Sequence, residues 1–252
     1  MRKTYLNPKY EALRQYVEGI PEIMESQGTY IYGGRRNLIK LFEAPDGTKL
    51  NVKRFKKPSL INNIIYSTGI RKPKGERAFK YPQILLQKGI ETPEAVAYIE
   101  IRNAIGLLQD CYFISIQCAY AHLLYEVGNA EEGTYEPLAL ALAGLAAKMH
   151  DAGVLHQDFS PGNILWDVID GEYRFSIVDI NRMKFGPVSM AEGAQNFIRL
   201  WGPKRFIQII VAEYARLRGF DASQCEQITM EQRARFWKRY MKKREMEFKL
   251  EL

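Results

Sequence analysis

The sequence predicts an α+β fold of two lobes, and three observations carry that prediction. Strand-rich runs crowd the N-terminal third, helical patterns dominate after about Glu136, and loops bearing chemically active side chains fall where the two would meet. The chain has 252 residues, 46% hydrophobic and 26% charged, the balance of an ordinary globular enzyme. No Pro/Gly/Ser-rich linker, repeat or low-complexity segment divides it. Residues 1–252 therefore read as one domain, with an N-lobe over about 1–116 and a C-lobe over about 120–252.

From Tyr10 to about Met24 the apolar positions Leu13, Tyr16, Val17 and Ile20 predict a helix. "TYIYGGRRNLIKLFEAPDGTKLNVKRF" then gives two or three strands broken at "GGRRN" and "PDG", the latter a good hairpin turn. "KGERAFKYPQILLQKG" reads as a helix stopped by Gly89, with Pro82 implying a kink or an earlier N-terminus. "ETPEAVAYIEI" and "CYFISIQCAY" read as strands. "EPLALALAGLAAKMHDAG" is a buried helix ended by Gly153. "YRFSIVDINRMKF" is a strand running into a polar turn, and Met190 to Leu252 is mainly helical.

Three widely spaced cysteines, Cys111, Cys118 and Cys225, leave no framework for disulfides or structural zinc and predict a reducing, cytoplasmic setting. The basic N-terminus has no apolar stretch behind it, so no secretory signal is read. The longest apolar run, Leu138 to Ala147, is about half a membrane span. A net charge of +7 suits phosphate-bearing partners of any kind, nucleotides, nucleic acids or anionic lipid head groups; the alternative is a basic protein with no polyanionic partner.

"GVLHQDFSPGNILW" places His156, Asp158 and Asn163 in a bent loop between apolar runs. Phosphoryl transfer needs a carboxylate to orient the attacking hydroxyl and oxygen ligands for Mg²⁺ beside the nucleotide phosphates. Asp158 suits the first task and Asn163 the second; the alternative is that both merely cap turns. Asp179, ending the apolar run of "FSIVDINRM", is placed to add a second oxygen ligand, as Mg²⁺ sites commonly use one or two carboxylates; the alternative is a strand-terminal aspartate in solvent. Upstream, alternation puts Leu50 and Val52 on one strand face and Asn51 and Lys53 on the other. Lys53 could pair with phosphates and Glu76 could hold it, or both could be solvated. Gly33 and Gly34 could offer backbone amides to phosphates or simply make a hairpin turn. In order along the chain, these groups fit a protein-kinase-like fold.

With those residues in view, the chain resembles the lipopolysaccharide kinase family, bacterial enzymes that phosphorylate Kdo or heptose sugars of the lipid A inner core. "YGGRRNLIK", "LNVKRFKKPS", "GERAFKYPQILLQKGIETPEAVAYIE", "VLHQDFSPGNILW" and "SIVDINRMKFGPV" carry the likeness, "VDINRM" standing where protein kinases have Asp-Phe-Gly. The resemblance implies ATP and Mg²⁺ as cofactors and a lipid A-linked core sugar, most of all Kdo, as acceptor. It makes Asp158 the catalytic base, Asn163 and Asp179 metal ligands, Lys53 the phosphate-holding cation and Glu76 its partner. His156 becomes a prop for the loop, and backbone from Gln117 to Ala119 holds the adenine. The short glycine loop shifts nucleotide coverage toward Arg35 or Arg36. Gln157 where many protein kinases have Arg argues against control by activation-loop phosphorylation.

The basic segment from Met230 could rest on the anionic inner membrane, with Phe236, Trp237, Tyr240 and Met241 on one side and Arg233, Lys242, Lys243 and Arg244 elsewhere. Otherwise its aromatic side packs on the helical lobe. No nucleic-acid partner is expected. The rival readings are a RIO-like protein kinase, a small-molecule kinase of aminoglycoside type, and a non-catalytic binding module.

Overall fold

The computed structural model describes residues 1–33, 37–55, 57 and 73–252. Gly34, Arg35 and Arg36 lie outside the described residues. The chain forms two compact units, Met1–Gln87 with Thr92–Ala119, and Lys88–Glu91 with Tyr120–Leu252.

The first unit is built on a six-stranded antiparallel sheet in the order β1-β5-β6-β4-β3-β2. Its strands are β1 (Arg2–Leu6), β2 (Thr29–Gly33), β3 (Asn37–Glu43), β4 (Lys49–Phe55), β5 (Ala95–Arg102) and β6 (Leu108–Ile116). The edge strand β1 comes from a polar N-terminus that gave no strand pattern; pairing with β5, Tyr5 opposite Tyr98, imposes it.

Alternation along the strands divides the sheet into two apolar faces. Leu50, Val52, Ala97, Ile99 and Ile114 pack with Val17, Ile20 and Met24 at α1 (Arg14–Ile23). A 3₁₀ turn, Pro8–Leu13, occupies the first part of the predicted helix, Asn7 capping it through Lys9 N–H. On the opposite face Phe55, Tyr98 and Cys111 pack with Ala78 of α2 (Lys74–Gln87). Pro82 lies within α2, which runs past it. Gly75 is required for this packing, because a Cβ there would fall inside the radius of the buried Tyr98 ring.

The second unit is mainly helical: α3 (Glu136–Asp151), α4 (Met190–Asn196), α5 (Lys204–Arg218) and α6 (Ala222–Met241). Ala139, Ala143 and Ala146 let α3 approach α5, which answers with Phe206, Ile210, Val211 and Tyr214. Short ribbons complete it. β7 (His122–Leu123), β9 (Ile164–Ile169) and β10 (Glu172–Ile177) form one sheet; β8 (Val154–His156) and β11 (Met183–Phe185) form another. The apolar run Ile164–Trp166 that follows the bent loop is thus the start of a strand, aligned by β10.

The aromatic side of α6 packs inward only in part: Phe236 and Tyr240 are half-buried and Met241 is exposed. Trp237 is buried, and Phe248 returns from beyond the helix to sit on it and to stack on Trp201 at 4.7 Å. Arg233 departs from expectation. It is fully buried, its guanidinium donates to the carbonyls of Leu200 and Gly202, and desolvation lowers its pKa to about 10. Its charge is held by backbone oxygens rather than solvent.

A directional hydrogen-bond chain crosses this unit. Arg218 donates to Tyr214 Oη at 3.1 Å, and Tyr214 O–H meets His150 Nδ1 at 2.8 Å. His150 Nε2 meets Asn196 Oδ1 at 3.2 Å, and Asn196 Nδ2 donates to the His156 carbonyl at 2.8 Å. An amide oxygen only accepts, so Nε2 carries the hydrogen and Nδ1 receives the tyrosine's; His150 is neutral.

Two outcomes follow for stability. Gly75→Ala, ordinarily favourable within a helix, lowers stability by about 1–3 kcal/mol because the Tyr98 ring must move; urea unfolding measures it. Burial lowers the His150 pKa from 6.5 to about 4, so on acidification the unfolded chain takes up that proton first. His150's contribution is intact above pH 6.5 and is lost as pH falls toward 4, by on the order of 3 kcal/mol. The urea midpoint therefore drops across that window, and less steeply in His150→Gln.

Candidate active site

The loop between β8 and β9 owes its shape to a buried imidazole. His156 Nδ1 accepts the backbone N–H of Asp158 at 3.0 Å, while Nε2 faces the carbonyl of Val178 at 3.1 Å. An amide N–H can only donate and a carbonyl only accept, so this ring carries its hydrogen on Nε2 and is neutral. Burial lowers its pKa, the Val178 bond opposing that in part. His156 thereby ties the Asp158 loop to the segment that delivers Asp179.

Asn163 closes the same loop. Its Nδ2 donates to the Asp158 carbonyl at 2.8 Å and lies 3.3 Å from Ser160 Oγ, which fixes the amide plane and turns its oxygen the other way. Pro161–Asn163 is a 3₁₀ turn beneath Tyr125, whose ring occupies the space a Gly162 side chain would need. The carbonyl of Asn163 accepts Val178 N–H at 3.0 Å, which brings Asn163 beside Asp179.

Asp179 has left-handed backbone angles, φ 52° and ψ 41°, rare outside glycine, asparagine and aspartate. Asn181 Nδ2 hydrogen-bonds its Oδ1. The segment then pairs with β8, Met183 opposite His156, and Arg182 takes Gln157 N–H on its carbonyl at 2.9 Å. Among the described residues no group of three or more His, Cys, Asp or Glu side chains could hold a metal. One carboxylate and one amide oxygen on adjoining segments fit Mg²⁺, which fills its shell with water and phosphate oxygens rather than a protein cage.

The Asp158 carboxylate is held by two arginines. Arg199 pairs with Oδ1, and Arg182 Nη1 lies 3.4 Å from Oδ2. Arg199 comes from the 3₁₀ turn Phe197–Arg199 and lies over the Phe236 ring at 5.3 Å. Sequence reading assigned neither arginine a role. Arg182 sits inside "VDINRM", which offered a hint; Arg199, 41 residues from Asp158, offered none.

The remaining candidates belong to the first unit. Lys53 is buried on the sheet face that packs against α2, opposite Phe113 in register, with its ammonium 5.2 Å from the Phe55 ring. Glu76 lies in the first turn of α2 and forms an ion pair with Lys80 at 2.7 Å. Gln117 N–H donates to the Lys49 carbonyl, and its side chain accepts from Asn51 Nδ2 at 2.8 Å. Ala119 is exposed. Gly33 ends β2, its carbonyl taking the Tyr30 hydroxyl at 3.1 Å.

Residues 46–218 match the model of the lipopolysaccharide kinase (Kdo/WaaP) family. No curated protein sequence matches the chain. Among known structures, that of WaaP in complex with acyl carrier protein superposes with a TM-score of 0.62 at 17% identity, covering 93% of this chain and 99% of that one. The Rio2 kinase–ADP/Mg²⁺–phosphoaspartate complex from Chaetomium thermophilum gives 0.50 at 11% identity, covering 93% and 78%. At such identities these two likenesses establish a kinase-like fold, and the family match, spanning more than half the sequence, carries the assignment further. The chain belongs to the lipopolysaccharide kinase (Kdo/WaaP) family and is a phosphotransferase acting on a hydroxyl of the lipopolysaccharide core.

Proposed function

We propose that the protein transfers the γ-phosphate of ATP, with Mg²⁺, to a hydroxyl of Kdo in the lipid A-linked inner core. The observation that carries this reading is the loop in which buried His156 fixes Asp158 and Asn163 beside Asp179.

Asp158 accepts a hydrogen bond from the acceptor hydroxyl and receives its proton as the oxygen–phosphorus bond forms and the bond to the β-phosphate oxygen breaks, leaving ADP. Asn163 and Asp179 would hold the metal, which neutralises phosphate charge when bound. Lys53 supplies a cation to the α- and β-phosphates, with Glu76 as its acidic partner. Gln117 N–H is already engaged with Lys49, so adenine recognition falls to the Gln117 carbonyl and Ala119 backbone. Gly33, with Gly34 and Arg35, covers the phosphates.

The enzyme would work at the cytoplasmic face of the inner membrane. No helix among the described residues is long and apolar enough to cross a membrane, and Lys238, Arg239, Lys242, Lys243 and Arg244 are all exposed around the end of α6. That cluster suits anionic lipid head groups. It also suits an acidic protein such as the acyl carrier protein seen with WaaP. With Trp237 packed away, the exposed charges of α6 carry most of such a contact.

Incubation with ATP, Mg²⁺ and Kdo-bearing lipid A yields a product heavier by one phosphate. Preferential labelling of a protein acceptor or an aminoglycoside instead would transfer the assignment to the RIO-like or small-molecule reading. Asp158→Asn lowers kcat by about two or more orders of magnitude while binding of a nonhydrolysable ATP analogue persists; undiminished turnover would remove Asp158 from the role of base. Asn163→Ala raises the Mg²⁺ concentration needed for half-maximal rate, and an unchanged metal requirement would exclude it as a ligand.

A further inference from the structure

Asp158 is the one group the proposed reaction asks to receive a proton, yet each of its oxygens faces a guanidinium. Among the described residues, arginine–glutamate pairs on the helices join neighbours one turn apart, as Arg14 with Glu11 and Arg216 with Glu213 do. The two at Asp158 are different. Arg182 and Arg199 reach it from separate 3₁₀ turns, 24 and 41 residues away. Each contributes one Nη1 to the carboxylate, and each side chain is about two-fifths exposed.

Two cations on one anion leave one positive charge uncompensated within the pairing. A guanidinium carries five N–H donors in a planar fork suited to carboxylate or phosphate. The Arg182 contact, at 3.4 Å, is loose, so a competing anion displaces it at little cost. Arg199 is better seated: its guanidinium lies against the Phe236 ring, which favours a planar cation and keeps it beside the carboxylate. The backbone positions are also fixed, Arg182 by the Gln157 bond to its carbonyl and Arg199 by its turn.

We infer that Arg182 and Arg199 form an anion-reading subsite that selects acceptors carrying a negative group close to the hydroxyl to be phosphorylated. The inference rests on the Kdo kinase reading and deepens it. An acceptor with a carboxylate or phosphate on its ring takes guanidinium donors for itself and draws Arg182 from Asp158. The released Oδ2 then accepts the hydroxyl. A neutral sugar has nothing to offer the arginines and leaves both guanidiniums on the carboxylate, where they crowd the approach of its hydroxyl. The pair therefore acts as a specificity filter placed on the base itself.

The test compares wild type with Arg199→Gln, Arg199→Lys and Arg182→Gln on three acceptors. These are Kdo-bearing lipid A, the same molecule with the Kdo carboxylate methyl-esterified, and the same molecule with its lipid A phosphates removed. For wild type, removal of the anion that is read raises the acceptor KM about tenfold or more. Which of the two altered acceptors suffers identifies that anion as carboxylate or phosphate. Arg199→Gln shows the raised KM on the intact acceptor and no further rise on the altered one, with KM for ATP unchanged. Arg199→Lys restores part of the discrimination, and Arg182→Gln weakens it in the same direction. Equal loss of kcat on all three acceptors with KM unmoved, or a shift in KM for ATP, would assign the arginines to loop structure or to the nucleotide and overturn the inference.

A binding measurement separates this inference from the reading beneath it. Kdo-bearing lipid A, which carries both the carboxylate and the phosphates, is titrated calorimetrically into wild type and Arg199→Gln in the presence of a nonhydrolysable ATP analogue. Binding that is lost in the variant supports the subsite even if no sugar is phosphorylated, in which case only the kinase reading falls. Absence of binding of this acceptor to wild type, or equal binding to both proteins, overturns the subsite.

Discussion

The neutral, buried imidazole of His156 is the interaction on which the site depends. One ring nitrogen receives the N–H of Asp158 and the other donates to Val178, so a single rigid side chain sets the spacing between the acidic loop and the segment leading to Asp179. A proton added to Nδ1 would point at an amide N–H, and a charge would sit in a fully buried place. The histidine thus does its work by staying uncharged. The same logic repeats at His150, where an oriented chain from Arg218 through Tyr214 and Asn196 ends on the His156 carbonyl. The helices behind the loop are connected to it by polar bonds whose directions all agree, and the loop's geometry is a property of the helical unit as a whole.

The part of this arrangement written locally in the sequence was legible. Asp158 and Asn163 are five positions apart in a loop that Ser160, Pro161 and Gly162 force to bend, and the Asn163 amide binds the Asp158 carbonyl. Lys53 shares the face of Phe55 because alternation along a strand leaves no other choice, while Val52 faces α1. Helix α3 and the termination at Gly153, where φ is +69°, followed from periodicity and from glycine's tolerance of that angle.

What could not be read depends on contacts between distant positions. Strand β1 is polar and short, and only its alignment on β5 makes it a strand. Arg199 and Asp158 are joined by the placement of the turn after α4, which no periodicity encodes. Arg233 looked like one more charge on a basic helix. Its burial follows from the chain's path around Leu200 and Gly202, whose carbonyls supply what water otherwise would. Charge counted along a sequence says which groups are present; it does not say which are solvated.

Asp179 shows how backbone strain serves the site. Strand β10 ends at Ile177, a buried residue, and continued alternation would place the side chain two positions on toward the same interior. A carboxylate there would be desolvated and useless as a ligand. The left-handed conformation at Asp179 breaks the alternation, and the residue is half-buried where Ile177 is sealed in. It costs on the order of 1–2 kcal/mol in a residue with a Cβ. The flanking bonds hold it: Val178 to Asn163 on one side, Asn181 to the carboxylate and the β8–β11 ribbon on the other. A glycine at 179 would relieve the strain and lose the ligand, and an aspartate in regular strand would keep the ligand and bury it. Only the strained aspartate satisfies both demands.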